Sequence, residues 1–483
     1  MNKILKMLKA NRRIGSAIFW NMAGASSAKV LLLGCSYLTA LMLSVDDFGR
    51  FGLIRNTIAM FSIILSFGVG LAATKHIAEC RERDPLKARQ IMSINFMAAL
   101  VISVVVMVSI IALSPLLANS MLEDPALAGG ICVAATYVFF NGLGGVVTGV
   151  LSGLEAFYTL AWTTIVGSVF GIIVIIIFTH QWGLNGLIAG YAIMYAAIFF
   201  IQFIAMLLLL KKNHMGFTLH GLTPEIKVLS SFCVPAIISG AIGGPVVWGA
   251  NVIMSKSVGG FFALGIYNAA LIAKNSAVQM GGQLHVPMSV LFFNSPDSKK
   301  INGMNKYISW LIAIVFVYPV IVMPELVTWI FRHSKYTGQE LTQCVALSMA
   351  VGYIMLYKHY YARVLTKHEK LWWGVWENIF WGVLTLVFTY WWSKYGAVGF
   401  AWAMLAAYII DLIGVMIFYG WAGLISRDYL LSKECCVLWM IFGVGLIAIS
   451  LGIPWQYRLL LLCVSIATEV WCILNIYKKL VDN

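Results

Sequence analysis

From residue 15 to residue 477 the sequence repeats one pattern, an apolar run of about 20 residues followed by a short polar stretch. A run of that length, at about 1.5 Å per residue, crosses a hydrocarbon core of roughly 30 Å. Lipid offers no partner to a backbone N–H or C=O, so only helices and closed barrels can cross it. Barrel strands need polar residues at every second position, and these runs are apolar at successive ones. The sequence therefore predicts an all-α polytopic membrane protein. Its fourteen windows lie near 15–42, 51–74, 91–118, 127–150, 158–179, 184–210, 227–255, 261–292, 307–330, 338–357, 371–393, 397–420, 435–453 and 459–477. Composition agrees: 61% of residues are hydrophobic and 11% charged, against about 45–50% and 25% in soluble domains.

The charge of +14 would point to nucleic acid in a soluble chain, but here the bases flank apolar windows, where they set orientation. If the segments alternate sides, the side of the amino terminus holds 24 of the 33 bases and the other side 6. Both termini are accordingly expected in the cytoplasm. The basic lead, with Lys3, Lys6, Lys9, Arg12 and Arg13, is read as lying ahead of a retained first helix. The nine Cys form no CxxC pair, and six lie inside apolar windows, so neither a disulfide framework nor a zinc site is expected.

A shift of 213 residues aligns Ser44-Val45-Asp46-Asp47-Phe48-Gly49-Arg50-Phe51-Gly52-Leu53 with Ser257-Val258-Gly259-Gly260-Phe261-Phe262-Ala263-Leu264-Gly265-Ile266, with four identities in ten. Windows 7 to 12 thus read as a second copy of windows 1 to 6 in the same orientation, an organisation found in transporters. The expected domains are 1–226 and 227–420, each six helices, followed by an added pair of helices in 421–483.

The remaining three bases, Lys29, Arg55 and Lys274, fall inside windows. A charge at the bilayer centre costs roughly 2.5–3.5 kcal/mol on insertion scales and normally faces a partner or a wet cavity. Helical spacing puts Lys29 on one stripe with Asn21, Ala25, Ala28, Ser36 and Thr39. It puts Arg55 with Ser62, Ser66 and Gly70, and Asn268 with Asn275, Gln279 and Gly282, with Lys274 at the edge of that last stripe. Three such stripes predict one lined cavity. The alternative for the bases is snorkelling to headgroups or pairing with acids. Asp411 and Glu469 lie deep in windows 12 and 14, either coupling protons or sodium ions or pairing with a Lys, Ser or Tyr, whereas windows 1 to 6 hold no acid at mid-span.

Window 7 carries Pro235 and Pro245 around Gly240, Gly243 and Gly244 and is the candidate hinge. The cluster of Trp372, Trp373, Trp376 and Trp381 with Tyr353, Tyr357, Tyr360 and Tyr361 reads as an interfacial aromatic belt. His359, His368 and Glu369 make no metal site by spacing, and there is no GxxxxGK[ST] stretch for ATP. No cofactor is expected.

The Phe48-Gly49-Arg50-Phe51-Gly52-Leu53 link, Arg55 just beyond it and the number of windows resemble the multidrug/oligosaccharidyl-lipid/polysaccharide exporter superfamily, and within it the Wzx-type O-antigen and polysaccharide flippases. The resemblance implies a V-shaped pair of six-helix lobes and alternating access. It also implies passage of an undecaprenyl-diphosphate-linked oligosaccharide across a bacterial inner membrane, with lipids and other polysaccharide-assembly proteins as partners. In related flippases cationic side chains of helices 1, 2 and 8 line the cavity, and Lys29, Arg55 and Lys274 stand in the comparable windows here. Sugar hydroxyls would then meet Asn21, Asn251, Asn268, Asn275 and Gln279. Two other readings stay open: a cation-coupled multidrug or small-molecule exporter of the same superfamily, and a membrane enzyme such as a polysaccharide polymerase. The first expects an acid within the first six windows, and the second a long external loop.

Overall fold

The computed structural model describes residues 27–66, 73–74, 77, 80, 84–121, 123–213, 215–218, 242–283, 299–331, 335–336, 338–368, 370–425, 430 and 432–481. The described residues pack as two compact units. One comprises Met1–Leu43 with Arg50–Trp248, the other Ser44–Gly49 with Gly249–Asn483.

The first unit holds α1 (Ser27–Met42), most of α2 (Val45–Ser66), α3 (Pro85–Leu116), α4 (Leu127–Gly153) and the long α5 (Phe157–Lys212). The second holds α6 (Gly243–Ser255, from Gly249), α7 (Gly260–Gln283), α8 (Lys299–Ile312), the short α9 (Tyr318–Val322) and α10 (Glu325–Thr328), then α11 (Gln339–Lys367), α12 (Leu371–Trp392), α13 (Gly396–Trp421), α14 (Lys433–Ser450) and α15 (Trp455–Val481). Each of the fourteen windows contains helix among its described residues, and window 9 is broken at Met323 and Pro324 between α9 and α10. Nine helical stretches among the described residues are long and apolar enough to cross a bilayer. Two of these, α5 and the run from α12 into α13, each contain two windows joined at a break. Large apolar side chains such as Val101, Leu208 and Ile417 are exposed on helix surfaces, as a lipid solvent permits. The chain is a multi-pass membrane protein.

The two breaks carry the internal repeat further than the sequence alignment did. Gly183 within α5 has φ +56°, and Gly396, at the corner between α12 and α13, has φ +70°. They stand 213 positions apart, and both adopt the left-handed backbone that favours glycine. Three residues on, a Cβ at Gly186 would strike the carbonyl oxygen of Phe178, and one at Gly399 that of Trp392. In each copy a Gly-x-x-Gly thus turns the chain and lets the two arms close on each other. The α5 arms continue this packing, with Gly167 against Ile198, Gly171 against Met194 and Gly190 against Ile175. Without a hydrophobic drive in lipid, such small-residue contacts carry helix association.

Loop contacts within each unit follow the expected alternation of sides. In the first unit Arg50 Nε lies 2.9 Å from Asp124, and Arg89 Nε donates to Gly216 O at 2.9 Å. In the second, Arg458 holds Glu325 through both carboxylate oxygens and also donates to Val322 O and Ile453 O. Each pair joins segments that the sequence places on one side.

Two expectations change. Window 10 ended at 357, but α11 continues to Lys367 and is the most enclosed candidate span, with 78% of its apolar window buried. Tyr353, Tyr357 and Tyr361 therefore sit inside the second unit and not in an interfacial belt. Trp310 and Trp439 pack against Tyr357 with ring centroids 4.8 and 5.1 Å away, and Phe442 stacks on Tyr353 at 4.7 Å. The added pair α14 and α15 supplies part of this core. Trp381 is buried with them in kind, while Trp372 and Trp376 remain exposed. Of the hinge residues, Pro235 and Gly240 lie outside the described residues, and Pro245 falls in the first turn of α6, where a missing N–H costs nothing.

Gly186→Val and Gly399→Val should each destabilise the protein by about 1–3 kcal/mol or more, the usual cost of overpacking. Thermal unfolding in detergent measures this. Unchanged midpoints in both variants would contradict the matched turns.

Candidate functional site

One side of α2 in the first unit opens a recess of about 80 Å³, lined by Phe51, Ile54, Arg55, Tyr137, Tyr191 and Tyr195 among others. A polar recess of this size can hold water or the oxygens of an anion. The walls come from α2, α4 and the second arm of α5, and their close approach follows from Gly130, where a Cβ would press on Ile54 and Ile188. Tyr137 and Tyr195 meet edge to face at 4.3 Å, and Tyr191 packs on Phe51 at 5.2 Å while its hydroxyl lies 3.5 Å from Ser36 Oγ.

Arg55 is half-buried in this recess. Its guanidinium carbon stands 5.8 Å from the centre of the Phe51 ring, and among the described residues it makes no ion pair or hydrogen bond. A cation over an aromatic face retains most of its capacity for an anion. Tyr137, Tyr191 and Tyr195 line the recess with it, and a phenol is a neutral hydrogen-bond donor. No Asp or Glu among the described residues of the first unit lies within an apolar helix, so the recess is electropositive.

Lys29 lies in the same unit, on α1, half-buried and without an ion-pair partner among the described residues. Asn21 falls outside the described residues. The other expected site residues belong to the second unit. Lys274 is half-buried on α7, with its stem beside Gly352 of α11. Asn275 is half-buried and Gln279 exposed on the same helix, whereas Asn251 and Asn268 are 1% and 2% exposed. Asn268 stands 213 positions after Arg55, and neither of its amide atoms has a hydrogen-bond partner among the described residues. The second copy thus carries a neutral amide where the first carries the guanidinium.

Asp411, fully buried on α13, is bound by the Lys358 ammonium of α11, which also lies 2.6 Å from Glu377 of α12. The Tyr419 hydroxyl donates to Glu377 at 2.6 Å. Asp411 therefore has the Lys partner that the sequence left as one of its alternatives. Sequence reasoning missed that partner, because Lys358 and Arg363 were read as loop residues past window 10. Arg363 is fully buried instead, held by the side chain and carbonyl of Asn305 and, at 3.1 Å, by Ser309. Glu469 is buried on α15 one turn after Ser465, whose hydroxyl lies 2.9 Å from that of Tyr318.

The equivalent helices of the first unit are tied by neutral groups. Thr148 donates to Gln202 at 3.2 Å and Gln202 to Thr164 at 3.0 Å. Thr164 and Glu377 are 213 positions apart. The copies have thus exchanged characters: the first has a neutral tie and a cationic recess, the second an ionic tie and a neutral amide.

A family model described as polysaccharide biosynthesis protein matches residues 14–292. No curated protein matches the chain in sequence. Among solved structures, the chain is similar to a multidrug resistance MATE family transporter of the MOP superfamily in its inward-facing conformation, with TM-score 0.66 at 14% identity over 84% of this chain and 98% of that one. The outward-facing conformation of such a transporter gives 0.63 at 16% identity, over 85% and 95%. A MOP superfamily transporter from Pyrococcus furiosus, described as having a binding pocket of reverse polarity, gives 0.61 at 16% identity over 85% and 95%. The fold is that of the MOP superfamily.

Lys358→Met should cost about 3–5 kcal/mol, since it leaves two carboxylates facing each other in a dry interior. The triple variant Lys358→Met/Glu377→Gln/Asp411→Asn should recover most of that loss. Unfolding in mixed detergent measures both, and a triple variant no more stable than the single one would contradict the ionic tie.

Proposed function

The chain belongs to the polysaccharide biosynthesis protein family, and from that membership and the Arg55 recess we propose that it flips a lipid-linked anionic oligosaccharide across the membrane. The observation that carries the reading is a half-buried guanidinium with no carboxylate among the described residues, ringed by three tyrosines. A diphosphate cannot enter hydrocarbon unaided. Arg55 replaces part of its water by bidentate contact, and Tyr137, Tyr191 and Tyr195 supply neutral donors. Lys29, on α1 of the same unit, adds a second, point-like charge. The polyprenyl tail stays in lipid throughout.

In this reading the substrate is an undecaprenyl-diphosphate-linked repeat unit of O-antigen or a similar polysaccharide. It moves from the cytoplasmic to the outer leaflet of a bacterial inner membrane by alternating access, with both termini cytoplasmic and other polysaccharide-assembly proteins as partners. Lys274, Asn251, Asn268, Asn275 and Gln279 of the second unit, with Asn21, are assigned to the glycan side of the path. A substrate of charge about −2 moving outward gains roughly 4.6 kcal/mol from an inside-negative potential of 100 mV, at about 2.3 per charge. Of the two acids considered for coupling, Asp411 is taken up by Lys358 in a structural tie, which leaves Glu469 as the candidate. The same electropositive recess disfavours a cationic drug as substrate, because guanidinium and drug repel.

Arg55→Ala and Lys29→Ala should abolish surface polysaccharide with the protein still present at its normal level, and Arg55→Lys should restore only part of it. Polysaccharide staining with an immunoblot of the membrane fraction checks this. Normal polysaccharide in both alanine variants would overturn the reading.

A further inference from the structure

The second unit holds a larger recess, about 730 Å³, at the ends of its helices. It is lined by residues between Met323 and Phe331, by Tyr336, by residues at the start of α11, and by Trp455 at the start of α15. These segments join windows 9 to 10 and 13 to 14, the side that holds few bases. The recess lies opposite the base-rich face and within the size range of small-molecule sites.

Its chemistry is specific. Trp329 and Trp455 are 69% and 53% exposed and both line the recess, so two indole faces are open to a ligand. Glu325 forms part of the wall, and its carboxylate is fixed by Arg458, itself only 6% exposed. The Arg458 guanidinium is anchored in turn to the carbonyls of Val322 and Ile453 at 2.9 and 2.8 Å. Glu325 is thereby neutralised as a charge while its oxygens keep lone pairs for hydroxyl donors. Thr328 and Thr342 add hydroxyls. The described lining presents flat apolar faces, hydroxyls and a charge-compensated carboxylate. They suit a ring with an apolar C–H face and a hydroxylated edge, which is a pyranose.

We infer that this recess is a glycan-binding subsite on the outer face of the second unit, which takes sugar residues of the substrate while the Arg55 recess takes the diphosphate. The inference rests on the proposed flippase reading for the identity of its ligand. The division follows from what each described lining offers: two indoles and two hydroxyls around a neutralised carboxylate fit a sugar ring, whereas the other recess carries the guanidinium that a diphosphate needs. Sugar caught on the outer side would also hinder the substrate from returning.

The probe is the oligosaccharide released by mild acid from the lipid-linked precursor that accumulates in cells lacking this protein. Its binding to the purified full-length protein in nanodiscs is followed by calorimetry. Two double variants are compared, Trp329→Leu/Trp455→Leu, which keeps apolar anchors for an interface, and Thr328→Val/Thr342→Val, which keeps volume and removes hydroxyls. Each should weaken binding tenfold or more, and Trp372→Leu/Trp376→Leu, at two exposed tryptophans outside the recess, should bind as the unaltered protein does. Equal affinity in all variants, or no binding of the released glycan to the unaltered protein, overturns the subsite. Either outcome leaves the flippase reading standing, since that reading falls only if the loss of Arg55 leaves surface polysaccharide normal.

Discussion

The cost of a charge in hydrocarbon decides where every ion of this protein can stand. An ionised group taken out of water is tolerated when partners replace its hydration, and a base without such partners is kept only where a ligand or water will reach it. In the second unit Lys358 is matched by Glu377 and Asp411, Arg363 by Asn305 and Ser309, and Arg458 by Glu325 and two carbonyls. In the first unit Arg55 stands in a recess whose described lining holds three tyrosines and no acid. The matched ions tie elements of the second unit together, whereas Arg55 and Lys29 of the first unit have no such match among the described residues.

The 213-residue correspondence sets the two kinds of polar group on matching positions. Gly183 and Gly396 turn the chain identically in the two copies, and Gly186 and Gly399 let the arms close. On that shared frame Arg55 is replaced by Asn268, and Thr164 by Glu377. Backbone geometry needs the glycines wherever the turn recurs, whereas the polar positions are free to take different charge in each copy.

Much of this was legible in the sequence, because bilayer thickness sets helix length and the positions of Lys and Arg report the sides of the membrane. The Arg55 recess was half legible. The arginine stood out as a charge in an apolar run, but its tyrosines come from α4 and α5, and only the i, i+4 spacing of Tyr191 and Tyr195 hinted that they share a face. The Lys358 network was hidden for a physical reason. Lys358 and Arg363 lower the hydropathy of the end of α11, so the run appears to stop ten residues early, although the helix continues to Lys367. A charge that is paired inside a protein looks, in sequence alone, like a charge in water. The tyrosines around it were misplaced with it.

The central claim is that Arg55 forms the seat of an anion. Its most direct test is the affinity of the purified protein for a short-chain prenyl diphosphate, measured by native mass spectrometry for the unaltered chain and for Arg55→Gln. The account predicts at least a tenfold loss in the variant, with a prenyl alcohol of equal length binding both proteins equally weakly. Equal affinity of the two proteins for the diphosphate would contradict it.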